Sequence, residues 1–273
     1  MLVLFHTVTI MFEKNNKDSL KSDGIENTNN LINDEEYIKM FWVGLMDGNG
    51  SIQVNHWHKQ SLQYRLVIKL SNLTLNYNML IKIAKVIGGS VLITGKGKNV
   101  LWVVNKKETI KEIIKIFDIY PPLTSKKICQ LKFLKQCILI NSMDWYLLNR
   151  NNKYNDQQSI INSDIFKLEK GIITLPNYFK GWFSGLVEAE GCFSIRKSNN
   201  NSFSIGQNND IYLINAIKEY LGATNIIRKS YRNFYCIEIY KKEILITIMN
   251  HFNNYPLLGE KTKSFHKWIQ KIK

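Results

Sequence analysis

Cysteine is scarce in this chain of 273 residues: Cys129, Cys137, Cys192 and Cys236 stand far apart, with no C-x-x-C pair among them. That spacing excludes a zinc finger and a disulfide framework alike. No apolar run approaches the ~20 residues a membrane-spanning helix needs. Residues 1–12 are apolar but have no basic n-region and no small-residue cleavage site, so they do not read as a secretory signal. Acid is short too: 22 Asp and Glu face 37 Lys and Arg, a net charge of +15. A surplus of that size points to a polyanion, either nucleic acid or an anionic membrane surface.

What is present is a core and a repeat. Apolar residues make up 45% of the chain, enough for one large domain or two small ones. Asn, Lys, Ile and Tyr are abundant throughout, the bias of an AT-rich coding sequence, which suggests an organelle genome. Residues 1–33 end in a polar, aromatic-poor stretch without period and are expected to form a mobile arm.

The organising stretch is Phe183-Ser184-Gly185-Leu186-Val187-Glu188-Ala189-Glu190-Gly191. It reads as an apolar helix stopping on a glycine, with a strand starting directly after. An acid at a helix C-terminus faces the negative end of the dipole, so Glu190 needs a compensating partner, and a divalent cation is the obvious one. The pattern has a twin, Trp42-Val43-Gly44-Leu45-Met46-Asp47-Gly48-Asn49-Gly50, in which Asn49 stands where the later copy has Glu190. After each copy the same order is expected. In the first, strands at 51–57 and 64–70 precede a helix at 76–87, strands at 90–94 and 100–104, and helices at 107–117 and 126–140. In the second, strands at 192–197 and 203–207 precede a helix at 211–220, strands at 225–230 and 234–240, a helix at 242–252 and a last helix from 261. Tyr120-Pro121-Pro122 and Tyr255-Pro256 punctuate the two halves alike. The chain therefore divides into a first repeat at 34–140, a linker at 141–176 and a second repeat at 177–273, an internal duplication whose simplest geometry is a pseudo-two-fold. Gly44 and Gly48, and likewise Gly185 and Ala189, lie four apart on one helix face, so the two helices can pack backbone to backbone and bring positions 49 and 190 together.

These two motifs, with the lysines that follow each Tyr-Pro break, resemble the LAGLIDADG homing endonuclease and intron maturase family in its single-chain, two-repeat form, over residues 35–273. The resemblance implies an α+β fold: two αββαββα repeats packed through their motif helices into a saddle that lies along a duplex. It implies a monomer with internal symmetry, and double-stranded DNA or group I intron RNA as the partner. It also implies a divalent metal such as Mg²⁺ held by the penultimate residue of each motif, and a mitochondrial intron as the source.

Glu190 fits the metal-binding role. Asn49 offers only a neutral carbonyl, whereas Mg²⁺ sites rely on carboxylates and phosphate. Asp47 is a poor substitute, since residues two apart on a helix point about 200° apart and it leaves the interface face. Glu188, by the same geometry, is expected to be exposed or to cap. The resemblance places Gln207 and Lys261 about the attacking water in the second half, while the first half offers Leu70 and Lys127. On the strands, Gln53, Asn55, Gln63, Arg65 and Lys69 alternate in one half, and Ser194, Arg196 and Ser198 in the other. With Arg228, Lys229 and Arg232 they make a nucleic-acid surface. Trp102, Trp145, Trp182 and Trp268 sit among apolar neighbours and are expected in the core. Three functions stay open: a splicing maturase with degenerate cleavage, an active endonuclease or nickase, and a structural component of an organelle ribonucleoprotein.

Overall fold

The computed structural model describes residues 34–163, 166, 168–169, 172–195 and 201–272. The expected arm at 1–33, and Arg196 and Ser198, lie outside them. The first half runs α1 (Asp34–Asn49), β1 (Gly50–Trp57), β2 (Ser61–Ser71), α2 (Thr74–Ile87), β3 (Ser90–Thr94), β4 (Asn99–Val104), α3 (Lys107–Ile119) and α4 (Ser125–Ile140). After the intervening α5 (Met143–Asn149), α6 (Gln157–Asn162), β5 (Leu168–Glu169) and β6 (Ile172–Ile173), the order returns. The second half runs α7 (Phe179–Glu190), β7 (Cys192–Ser194), β8 (Ser202–Asn208), α8 (Ile211–Leu221), β9 (Arg228–Ser230), β10 (Phe234–Ile239), α9 (Lys242–Asn254) and α10 (Lys261–Ile269). Each half builds one antiparallel four-stranded sheet, ordered β1-β2-β4-β3 and β7-β8-β10-β9. The α+β fold with two like repeats is the one expected.

The helix pair α1 and α7 is the centre of the molecule. In α1 every residue from Phe41 to Asp47 is buried, and in α7 every residue from Gly181 to Glu188. Gly44 and Gly185 explain how two helices with bulky neighbours come so close. A Cβ added at Gly44 would lie 1.9 Å from the Trp182 carbonyl oxygen, and one at Gly185 would lie 1.9 Å from that of Phe41. At Gly48 the added atom would fall 2.3 Å from the Ala189 Cβ. Gly50 and Gly191 end the helices for a related reason rather than by a left-handed turn. Gly191 is extended, with φ −71°, and a Cβ there would press on Val187.

Apolar residues from both halves join one core around this pair, with Trp102, Trp182 and Trp268 fully buried as expected and Trp145 packed against its margin. The segment expected to be only a linker has structure of its own. Met143–Asn149 forms a short helix tied to the edge strand β1, where the Tyr146 hydroxyl donates to the Val54 carbonyl oxygen at 3.1 Å.

Beneath α7 lies a buried polar network. Ser184 donates to the Tyr255 carbonyl oxygen at 2.8 Å, so its Oγ must accept from His251 Nε2 at 3.0 Å, which leaves Nδ1 to accept from Tyr220 at 2.7 Å. His251 is thereby fixed neutral. Burial first, then the Lys180 charge, lowers its pKa from 6.5 to about 3. Because the unfolded chain takes up this proton near pH 6.5 and the folded one does not, the stabilisation is whole above that pH and is lost as pH falls toward 3. Denaturant titrations of wild type and His251→Asn should show the variant's deficit shrinking by about 3 kcal/mol between pH 7 and pH 4.

Candidate active site and nucleic-acid face

Both motif helices deliver their last residue to the foot of the pair. Asn49 and Glu190 are exposed there, and a Cβ built on Gly48 would stand 3.2 Å from Glu190 Cγ and 3.5 Å from its Oε1. The Glu190 carboxylate thus lies against the turn that carries Asn49. Crowding at this foot raises its pKa, while Lys261 and then Lys127 pull it down. Two lysines from different repeats therefore act on one acid. Lys261 reaches back to donate to the Gly191 carbonyl oxygen at 2.6 Å. Lys127 is only 6% exposed, and burial lowers its pKa against the opposing charges of Asp47 and Glu190. Counting from Tyr120 and Tyr255 would match Lys261 with Lys126, but Lys126 is exposed, whereas the buried Lys127 is the one whose charge bears on Glu190.

The acids two residues upstream do different work. Asp47 was expected to leave the interface; instead it is 4% exposed and accepts from Trp182 Nε1 of α7 at 2.6 Å. It also accepts from the Leu123 amide at 2.8 Å, the Thr124 amide at 3.2 Å and the Thr124 hydroxyl at 2.5 Å. The expectation failed because α1 is buried all round from Phe41 to Asp47, so the side chain meets Trp182 of α7 and the backbone just after the Tyr-Pro-Pro break and not solvent. Glu188 is its counterpart. It accepts from the Gly259 and Lys261 amides, each at 3.0 Å, so it caps as expected, but it is buried and not exposed. Each acid therefore anchors the start of the helix that brings a lysine to the foot.

Strand register settles which residue answers Gln207. Ser51 pairs with Val67 and Cys192 with Ser204, so three residues on, Leu70 occupies the place of Gln207. Leu70 lines a cavity of about 200 Å³ with Asn76, Glu188, Glu260, Lys261 and Ser264. Gln207 Nε2 is buried and makes no hydrogen bond among the described residues.

The donor set decides what ion could sit here. Among the described residues no three His, Cys, Asp or Glu side chains gather as a metal cluster. A hydrated Mg²⁺ keeps several waters and takes one or two carboxylates with phosphate oxygens, so Glu190 with the Asn49 carbonyl fits one such ion. Asn49 alone does not supply a second.

On the sheets, alternation separates two faces. Gln53, Asn55, Gln63, Arg65 and Lys69 share the face turned away from the buried Ile52, Leu66 and Ile68. Asn55, Gln63 and Arg65 also border a cavity of about 750 Å³ completed by Asn105, Lys107 and Asn141. Farther out the same face turns apolar, where Leu92 pairs with Leu101 and Val67 with Val103. In the second sheet Ser194 and Arg228 lie on the open face with Ser204 and Asn208. Lys229 does not: it pairs with Tyr235, on the side of Ile237, and its amine lies 5.7 Å from that ring. Only three residues of β9 are in ladder, so the two-residue pleat, not the basic run, decides which cation faces out. Arg232 is in the turn beyond, over the exposed Tyr231 ring at 5.1 Å. Sequence reasoning missed Glu238, which stands on the open face 3.5 Å from Arg228 and accepts from Ser202 at 3.1 Å.

Known proteins share this fold. Residues 42–137 and 183–272 each match the family model described as LAGLIDADG endonuclease. The chain is 51% identical over 275 residues to probable intron-encoded endonuclease aI3 of Debaryomyces hansenii, covering 91% of this chain and 40% of that relative. With the Dictyostelium citrinum protein of the same name it shares 48% identity over 239 residues, covering 86% of this chain and 95% of the other. The fold is similar to that of the homing endonuclease I-GzeII in complex with its DNA target, at a TM-score of 0.66 and 21% identity over 85% of this chain and 88% of that one. It is also similar to I-SmaMI bound to uncleaved DNA in the presence of calcium ions, at a TM-score of 0.64 and 18% identity over 85% and 89% of the two chains. Two matched motif helices packed through glycine, and a family match to each half, make this chain a member of the LAGLIDADG endonuclease family.

Proposed function

We propose that this chain is an intron-encoded mitochondrial protein that binds double-stranded DNA across its two sheets and cleaves one strand of it, as a nickase. The observation that carries this is the single carboxylate at the foot of the α1–α7 pair: Glu190 on one side, Asn49 on the other. The mitochondrial source rests on the AT-biased composition and on the intron-encoded relatives.

A divalent cation bound at Glu190 would supply positive charge to a phosphate oxygen and a water of lowered pKa. The chain's own groups do the rest. Glu190 holds negative charge at the point where α1 and α7 end, and Lys261 and Lys127 bring positive charge from both repeats to the place a strand's phosphate would pass. Asp47 and Glu188 fix the two helices that carry them. At the opposite half both the acid and the amide are missing, replaced by Asn49 and Leu70, so the second strand has no equal centre.

Supercoiled plasmid bearing the intronless target, incubated with protein and Mg²⁺, should yield nicked circles. In Asn49→Asp a second acid stands at the foot, and linear product should rise by about tenfold or more. Linear product as the main outcome with wild type would overturn the nickase reading. A second reading, splicing assistance by binding intron RNA, draws on the joint loss of acid and amide in one half. It requires salt-sensitive binding of the cognate intron RNA in preference to duplex DNA.

A further inference from the structure

Asp210 stands at the N-cap position of α8, the place where an aspartate ordinarily accepts from its own helix. It makes no such bond. Its Oδ2 instead accepts the Ser125 amide of the other repeat at 3.0 Å, and its Oδ1 is buried with no partner among the described residues. A buried carboxylate oxygen left unpaired is costly, so the residue's placement is explained by what it holds and not by its own helix. What it holds is the start of α4, which carries Lys127.

The neighbouring contacts repeat the arrangement. The Tyr212 hydroxyl donates to the Leu123 carbonyl oxygen at 2.6 Å, and the Tyr178 hydroxyl to that of Pro121 at 2.7 Å, both from the second repeat onto the first repeat's loop. In the reverse direction Tyr37 donates to the Pro256 carbonyl oxygen at 2.5 Å, and Asn76 Oδ1 accepts the Glu260 amide at 2.9 Å. Each lysine-bearing helix therefore begins in a grip supplied by the opposite repeat. Thr124, at the N-cap of α4, likewise gives α4 no side-chain cap; its hydroxyl goes to Asp47.

We infer that Asp210 is a positioning residue for Lys127: from the second repeat it fixes the start of α4 so that the first repeat's lysine meets the second repeat's Glu190. The circuit is closed, since Glu190 and Asp210 belong to one repeat and the lysine between them to the other. Asn76 fills the matching place for Lys261 with a neutral amide, so an amide oxygen suffices and charge is not required. The catalytic part of this inference rests on the nickase reading; the positioning part does not.

The test pairs Asp210→Ala with Asp210→Asn. In the metal-free protein, pH-dependent amine labelling read by mass spectrometry reports how buried Lys127 is. Asp210→Ala should speed Lys127 labelling by about tenfold while Lys261 is unchanged, and Asp210→Asn should match wild type. In the presence of Mg²⁺ and target duplex, Asp210→Ala should nick about tenfold or more slowly at unchanged DNA affinity, with Asp210→Asn restoring the rate. If Asp210→Ala does not fold, Asp210→Leu, which keeps a branched side chain of similar size but accepts no hydrogen bond from the Ser125 amide, should shift Lys127 labelling in the same direction. A Lys127 profile identical to wild type in folded Asp210→Ala, or in Asp210→Leu where the alanine variant fails, would overturn the inference. Absence of nicking by wild type would sink the nickase reading, and the labelling result would still decide the role of Asp210.

Discussion

Gly185→Ala should lower the melting temperature by about 10 °C, the shift expected of some 3–4 kcal/mol in a chain of this size. The added methyl would lie 1.9 Å from the Phe41 carbonyl oxygen and 2.8 Å from the Leu45 amide. Both are backbone atoms of a helix buried all round, so neither can rotate aside, and relief requires α1 and α7 to separate. Separation would expose Phe41, Trp42, Trp182 and Phe183, all 0% exposed in the fold, and would part Asn49 from Glu190. Gly44→Ala meets the mirror-image obstacle at the Trp182 carbonyl and should behave alike. Gly97→Ala is the contrast: nothing lies within 4 Å of the new atom, and only its φ of 85° resists, at about 1 kcal/mol. Thermal unfolding of the three variants, followed by circular dichroism, checks the ranking. Equal shifts at Gly185 and Gly97 would mean that the helices are not in backbone contact.

Glu190→Gln should reduce strand cleavage by about 10²-fold or more while leaving duplex affinity and melting temperature near wild type. The side chain is exposed and makes no hydrogen bond among the described residues, so its loss removes charge and little packing. The amide is similar in shape and keeps a neutral oxygen, which is what Asn49 already offers on the other side. If an amide sufficed to hold an ion, two amides would still cut. The contrast between Glu190→Gln and wild type therefore asks directly whether one carboxylate makes the centre.

How much of this could be read beforehand differs from residue to residue. The two motif copies, the glycine spacing and the order of helices and strands were legible, because each is a local pattern repeated once. The pairing of Leu70 with Gln207 was legible too, and the ladder registers place the two at equivalent positions. Asp47 was misjudged since helical geometry tells which way a side chain points and not what waits there. Here it meets the Leu123 and Thr124 amides, more than 70 residues along the chain. Asp210 is not legible in the sequence: an aspartate before a helix reads as that helix's own cap, and only the fold shows that its oxygen crosses to Ser125. Within the basic run at 228–232, Arg228 and Lys229 fall on opposite sides of the short edge strand, since neighbouring residues of a strand alternate. The intervening segment gave no strong period, yet Tyr146 binds it to β1 through one hydroxyl.

A single cleavage centre, built on Glu190 and shared between two repeats, is tested most directly by a target duplex carrying a different end label on each strand, incubated with wild-type protein and Mg²⁺. One strand should be cut, always the same one, and this product should disappear in Glu190→Gln. Cutting of both strands at comparable rates by wild type would contradict a single centre.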